Sequence, residues 1–212
     1  MRTSLMRMRL MRMRQLLMGV IAGALLLGWL VASAAAVPRE GQELIGTPMR
    51  SWSELRWLGS PPGDLRGKVV LVRWWSDACP MCSGALPSLG RLYEEHQREG
   101  LVVVGIYHPK PPVPITPATL QLIQKAAQEH EARFPIATDV DWTVLRRWWL
   151  AGGKHDYTSP SFLIDRQGVI RWVHRGGELH PSSDPAHKDC DRIYGELLTV
   201  LNTVLHEAPP PR

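Results

Sequence analysis

Residues 68–87 read KVVLVRWWSDACPMCSGALP, and no other stretch of the chain restricts the fold as much. Val69 to Val72, extended by Trp74 and Trp75, form an apolar, β-branched run suited to a strand buried on both faces of a sheet. After a break at Ser76-Asp77-Ala78, Cys79-Pro80-Met81-Cys82 opens a helix-compatible stretch that continues past Pro87 to Arg98. The two cysteines therefore sit where a buried strand hands over to a helix. The first turn of a helix has unpaired N–H groups and the positive end of the dipole, and both favour thiolate. Cys79 is thus expected to be the nucleophile, with a lowered pKa, and Cys82 the resolving thiol. Pro80 suits the first helical positions, where its missing N–H costs nothing.

A CxxC pair has other readings. It could be half of a zinc site, but a zinc ribbon needs a second pair and the chain has three cysteines in all. It could be an inert bridge, although so short a loop removes little chain entropy. Redox chemistry is favoured over both.

The leader changes how the charge is read. Met1 to Arg14 carries five arginines and no acid, Leu16 to Val31 is apolar, and Ala32-Ser33-Ala34-Ala35-Ala36 offers small residues for cleavage. Residues 1–37 have the layout of a signal peptide, and residues 16–37 are also long enough for an uncleaved membrane anchor. Either reading puts the remainder outside the cytoplasm. The chain has 25 Lys+Arg against 20 Asp+Glu. Without the leader's five arginines the balance is even, so the basic charge belongs to targeting and gives no ground for nucleic-acid binding. Residues 38–212 suffice for one domain with a real core.

Along that domain, Gly41 to Gly67 reads as loop and short strand pieces, with Trp52 and Trp57 packing on the sheet. Leu101 to Tyr107 (LVVVGIY) predicts a parallel neighbour of the first core strand. The proline-rich loop His108 to Pro114 should leave the carboxyl edge of that strand, near the cysteines. A helix capped by Thr116 or Thr119 runs to Arg133, with His130 on its solvated face. Phe134 to Ala137 gives a brief strand, and Asp141 to Leu150 a short helix whose tryptophans are core or rim. Thr158 to Asp165 begins a strand, Arg166-Gln167-Gly168 turns, and Val169 to His174 returns as its antiparallel partner; Ile193 to Leu205 gives a last amphipathic helix. Alternating strand and helix followed by a hairpin implies an α/β fold with a mixed sheet and helices on both faces.

GKVVLVRWW before the motif, CPMC itself, the spacing to Pro87 and Leu89, and SPSFLIDRQGVIRWVHRGG together resemble the TlpA/ResA-like branch of the thioredoxin superfamily. The resemblance covers residues 46–205. It implies a thioredoxin-like three-layer α/β/α sandwich and an extracytoplasmic thiol-disulfide oxidoreductase. It also implies that Pro160 is cis and lies beside the cysteine pair, with the Ser159 backbone free to pair with a substrate strand, and that Pro87 kinks the active-site helix. No dissociable cofactor and no resident metal are expected. Protein disulfides would be the substrates, among them apocytochrome c or copper-site assembly proteins, with a membrane donor of the DsbD/CcdA kind.

The chain departs from the family at Ala78, where an aromatic is usual, and in having Pro80-Met81 rather than a nearby glutamate. Asp77 could accept a proton from the pair, but reads more simply as an exposed loop residue. His174, His180, His187 and Cys190 crowd the tail without a compact ligand spacing. Three alternatives to a reductase stay open: an oxidase using the same pair, a peroxidase, and a copper-binding assembly factor using Cys79, Cys82 and His174.

Overall fold

The computed structural model describes residues 39–209. Both readings of the leader, signal peptide and membrane anchor, fall outside the described residues. Among the described residues no helix is long and apolar enough to cross a membrane.

Six strands form one sheet: β1 (Arg56–Leu58), β2 (Val69–Trp75), β3 (Leu101–Tyr107), β4 (Ile136–Thr138), β5 (Ser161–Ile164) and β6 (Ile170–His174). Their order is β1-β4-β3-β2-β5-β6. β2 runs parallel to β3, with Val69 opposite Leu101 and Trp75 opposite Tyr107, and β3 runs parallel to β4. The β1–β4, β2–β5 and β5–β6 pairs are antiparallel. The helices are α1 (Pro80–Ser83), α2 (Leu86–His96), α3 (Pro117–Glu129), α4 (Thr143–Leu145, continued by a π-helical turn, Arg146–Leu150) and α5 (Lys188–His206).

All seven residues of β2 are buried because both faces of the sheet are covered. On one face Val69, Leu71 and Trp75 pack with Leu86 and Leu89 of α2, Ile123 of α3, and Leu197 and Leu201 of α5. On the other, Val70, Val72 and Trp74 meet Trp148 and Trp149 of the α4 turn, with Leu55 and Trp52 from the N-terminal segment. The result is the expected three-layer arrangement around a mixed sheet. Trp52 stacks on Trp148 at 5.8 Å between ring centroids, so the tryptophans are core rather than ligand groups.

Several boundaries differ from expectation for local reasons. Pro87 has no N–H to offer the Ser83 carbonyl, so the helix that follows Cys79 breaks at Gly84-Ala85 and resumes with Pro87 in the first turn of α2. Thr116 caps α3, its Oγ1 accepting from the Thr119 N–H at 3.1 Å, and the helix stops at Glu129. His130 then sits half-buried at the helix end, edge-on to Trp75, rather than on a solvated face. α5 begins at Lys188 because Asp184 caps the 3-10 turn Pro185–His187 that feeds it. Cys190 therefore lies in the first turn of α5.

The topology brings the site together. β2 and β3 are parallel, so their C-terminal ends lead to Cys79 and His108 at the same edge of the sheet. β5 is antiparallel to β2 and starts there, with Ser161 opposite Arg73.

Candidate active site

Cys79 and Cys82 are joined by a disulfide, with S–S 2.06 Å and Cα–Cα 5.2 Å. Cys79 is the extended N-cap of α1, and its carbonyl accepts from the Cys82 N–H at 2.8 Å and the Ser83 N–H at 3.1 Å. Cys82 is only 2% exposed, whereas Cys79 is partly open to solvent, and Met81, 54% exposed, forms the rim with Pro80. One face of the disulfide is thus offered to a partner and the other is sealed. A single turn such as α1 supplies free N–H groups but little macrodipole. The fixed charge near the pair comes from elsewhere.

That charge is Arg73. It lies within the seven-residue buried strand and is fully buried itself. Its Nη1 donates to the Ser159 carbonyl (2.9 Å) and Ser161 Oγ (3.2 Å). Its Nη2 donates to the carbonyls of Cys82 (3.3 Å) and Gly177 (2.5 Å). Burial pulls the guanidinium down to about 9, still above neutral pH, so it keeps its positive charge. Arg73 ties the Cys82 backbone to the start of β5 and the loop after β6. Sequence reading passed over this residue, yet it carried a signal: a charge inside a run buried on both faces must have a dense set of partners.

The Ser159–Pro160 peptide is trans, contrary to expectation; the cis X–Pro bond found among the described residues is Lys110–Pro111. Trans is the intrinsically cheaper form. Here it carries the chain directly into β5, with the Pro160 carbonyl accepting from the Trp74 N–H at 3.0 Å. The Ser159 carbonyl accepts from Arg73, and Ser159 and Pro160 are both buried. Ser159 does touch the redox pair: its Oγ lies 3.0 Å from Cys82 Sγ. A disulfide sulfur carries no proton, so the hydroxyl is the donor. Gly176, at φ 129°, closes over this serine; a Cβ there would come within 2.8 Å of Ser159 Oγ.

Asp77 is exposed but engaged. Its Oδ1 accepts from the Tyr107 hydroxyl at 2.7 Å and the Ala78 N–H at 2.9 Å. Burial and this bond hold the Tyr107 phenol well above its ordinary range. At the root of the proline-rich loop His108 is fully buried, edge-on to Trp142, and Arg73's charge reaches both it and Lys110. The loop therefore starts beside the site, as expected. His174 is buried on β6 opposite Ser161 and stacks on Trp172. Among the described residues it forms no ligand group with Cys79 and Cys82.

The two buried histidines make stability depend on pH. Burial, with Lys110 and Arg73, lowers His108 to about 3; burial, with Arg73 and Arg175, lowers His174 to about 3. The unfolded chain takes up these protons near the ordinary value of about 6.5. Between those values the unfolded state holds more protons, so this stability is intact above pH 6.5 and is lost as pH falls toward 3. Each histidine should contribute up to about 1.4 kcal/mol per pH unit in that window. Urea unfolding at pH 7 and pH 5 measures the slope. His174→Leu should remove about half of it, and an unchanged slope would show that His174 is not buried in its neutral form.

Similarity to known proteins agrees with this geometry. The AhpC/TSA family profile matches residues 63–173. The chain is 32% identical to Protein DipZ of Mycobacterium tuberculosis over 164 residues, which cover 73% of this chain and 20% of DipZ. It is 25% identical to the thiol-disulfide oxidoreductase ResA of Halalkalibacterium halodurans over 114 residues, 54% of this chain and 57% of ResA. It thus spans less than two thirds of either relative. Its fold is similar to the thioredoxin domain of the thiol-disulfide oxidoreductase BVU-2223 from Bacteroides vulgatus. There the TM-score is 0.52 at 18% identity, covering 76% of this chain and 97% of that one.

Proposed function

The chain belongs to the AhpC/TSA family, with a thioredoxin-like fold, and on that premise we propose that it exchanges disulfides with extracytoplasmic proteins through Cys79 and Cys82. The observation that carries this reading is the asymmetry of the pair: Cys79 partly exposed at a helix start, Cys82 sealed beneath it. In the reductive direction Cys79 thiolate attacks a substrate disulfide and forms a mixed disulfide. Cys82 then attacks Cys79 sulfur, releasing the reduced substrate and closing the Cys79–Cys82 bridge. The TlpA/ResA-like resemblance supports this direction, with a membrane thiol donor of the DsbD/CcdA kind resetting the pair and cytochrome c or copper-site maturation as its setting. The basic, apolar leader supports an extracytoplasmic location, either cleaved or tethered through residues 16–37. The exchange needs no dissociable cofactor.

One observation favours the opposite direction. Arg73 places a buried positive charge against the backbone of Cys82, which stabilises thiolate over disulfide and hence the reduced form. A couple so biased gives up its disulfide readily and acts as an oxidant. Titration of the purified chain against glutathione and dithiothreitol buffers separates the two. A potential near about −270 mV or lower is expected for a reductase, and one near about −120 mV would make the protein a disulfide donor.

A further inference from the structure

The loop between β6 and α5 brings together three groups that the thiol-exchange site does not use. Glu178, His180 and Cys190 each place one ligand atom so that all three lie within 4.8 Å of one another. Leu179 is fully buried, and its neighbours Glu178 and His180 both lie partly exposed beside the Cys190 thiol. We propose that Glu178, His180 and Cys190 form a binding site for a borderline-soft divalent cation, zinc(II) above all, separate from the Cys79–Cys82 pair.

The chemistry of each group fits. A thiolate, an imidazole and a carboxylate make a mixed set of the kind zinc accepts, with three protein ligands and a fourth position left to water. His180 Nδ1 lies 3.1 Å from the Pro181 carbonyl, so it carries the proton and leaves the Nε2 lone pair facing Glu178 Oε2 at 4.0 Å. A backbone carbonyl on one ring nitrogen is how metal-binding histidines are commonly oriented. His187 Nδ1 stands 2.7 Å from the same Glu178 oxygen and fixes that carboxylate from outside. The His180 backbone N–H points at Cys190 Sγ at 3.2 Å, a donor placed to steady a thiolate.

Cys190 Sγ also lies 3.2 Å from the His180 carbonyl, to which the thiol donates. On binding a cation, Cys190 gives its proton to solvent as the metal–sulfur bond forms, and Glu178 supplies the carboxylate ligand. Sulfur and nitrogen on a tetrahedral zinc stand about 3.5 Å apart, so the three groups need only close slightly. His180 and Glu178 are partly exposed, which leaves a path for entry.

The test uses the oxidised full-length chain, in which Cys79 and Cys82 are locked in their disulfide and Cys190 is the free thiol. Cobalt(II) serves as the optical probe. The expected result is one equivalent bound, with a sulfur-to-cobalt charge-transfer band that zinc(II) abolishes by displacement. Cys190→Ser should remove the band, and His180→Ala should weaken binding about 100-fold or more, with His187→Ala costing about tenfold as an orienting group. Zinc(II) should raise the melting temperature of the wild type and not that of His180→Ala, whose side chain is partly exposed. A missing band, a band that survives Cys190→Ser, or His180→Ala binding as tightly as wild type would overturn the site.

Discussion

Cys82→Ser is expected to accumulate covalent adducts with its substrates, whereas Cys79→Ser should form none and fall to the rate of uncatalysed exchange. The difference follows from burial. Cys79 is partly exposed at the start of α1, and Cys82 is sealed at 2% exposure beneath it. An incoming disulfide can therefore reach Cys79 Sγ, and the first covalent step does not need Cys82. The second step does, because only a thiolate held next to Cys79 can attack its sulfur and displace the substrate thiolate. With serine at position 82, Cys79 stays bonded to the substrate sulfur. The Ser159 hydroxyl, 3.0 Å from Cys82 Sγ, cannot substitute because it is no sulfur nucleophile. Non-reducing electrophoresis of extracytoplasmic extract incubated with each variant reads the outcome. Adducts on Cys79→Ser rather than on Cys82→Ser would reverse the assignment of nucleophile and resolving thiol.

Much of this arrangement was legible in the chain itself. The apolar run of β2, the matching run of β3 and the hairpin around Arg166-Gln167-Gly168 are local patterns, and the strands formed where those patterns lie. Long-range partners were not legible. Arg73 looks like an interruption in an apolar run until β5 and the loop after β6 supply the carbonyls that hold it. Glu178 attracts no notice among the tail's histidines and aspartates until burial of Leu179 sets it beside His180 and Cys190. The isomer of the Ser159–Pro160 bond was inferred from resemblance, and here the demands of β5 and Arg73 on the flanking carbonyls go with trans. In each case the missing information was which group the folded chain would bring alongside.

Arg73→Met should lower the reduction potential of the Cys79–Cys82 couple by about 20–60 mV, while Arg73→Lys should keep most of the wild-type value. The disulfide is neutral and the thiolate is not, so a fixed positive charge nearby stabilises only the reduced form and raises the potential. A charge at this range, in surroundings with an effective dielectric near that of a protein, is worth about 1–3 kcal/mol. For a two-electron couple about 1.4 kcal/mol corresponds to 30 mV, which gives the range stated. The shift amounts to about 5- to 150-fold in the equilibrium between the protein and a glutathione buffer. Folding stability should move less, because two large terms oppose each other. Removing the guanidinium abolishes a buried charge whose pKa burial has pulled well below its ordinary value, to about 9, a relief of about 5 kcal/mol. It also strips a donor from the carbonyls of Ser159, Cys82 and Gly177, at about 1–3 kcal/mol each. Measuring potential and urea stability on the same variant separates the roles. A potential that stays put while stability collapses would make Arg73 a structural tie alone. A potential that falls with Met and is restored by Lys would identify its charge as the residue's contribution to the couple.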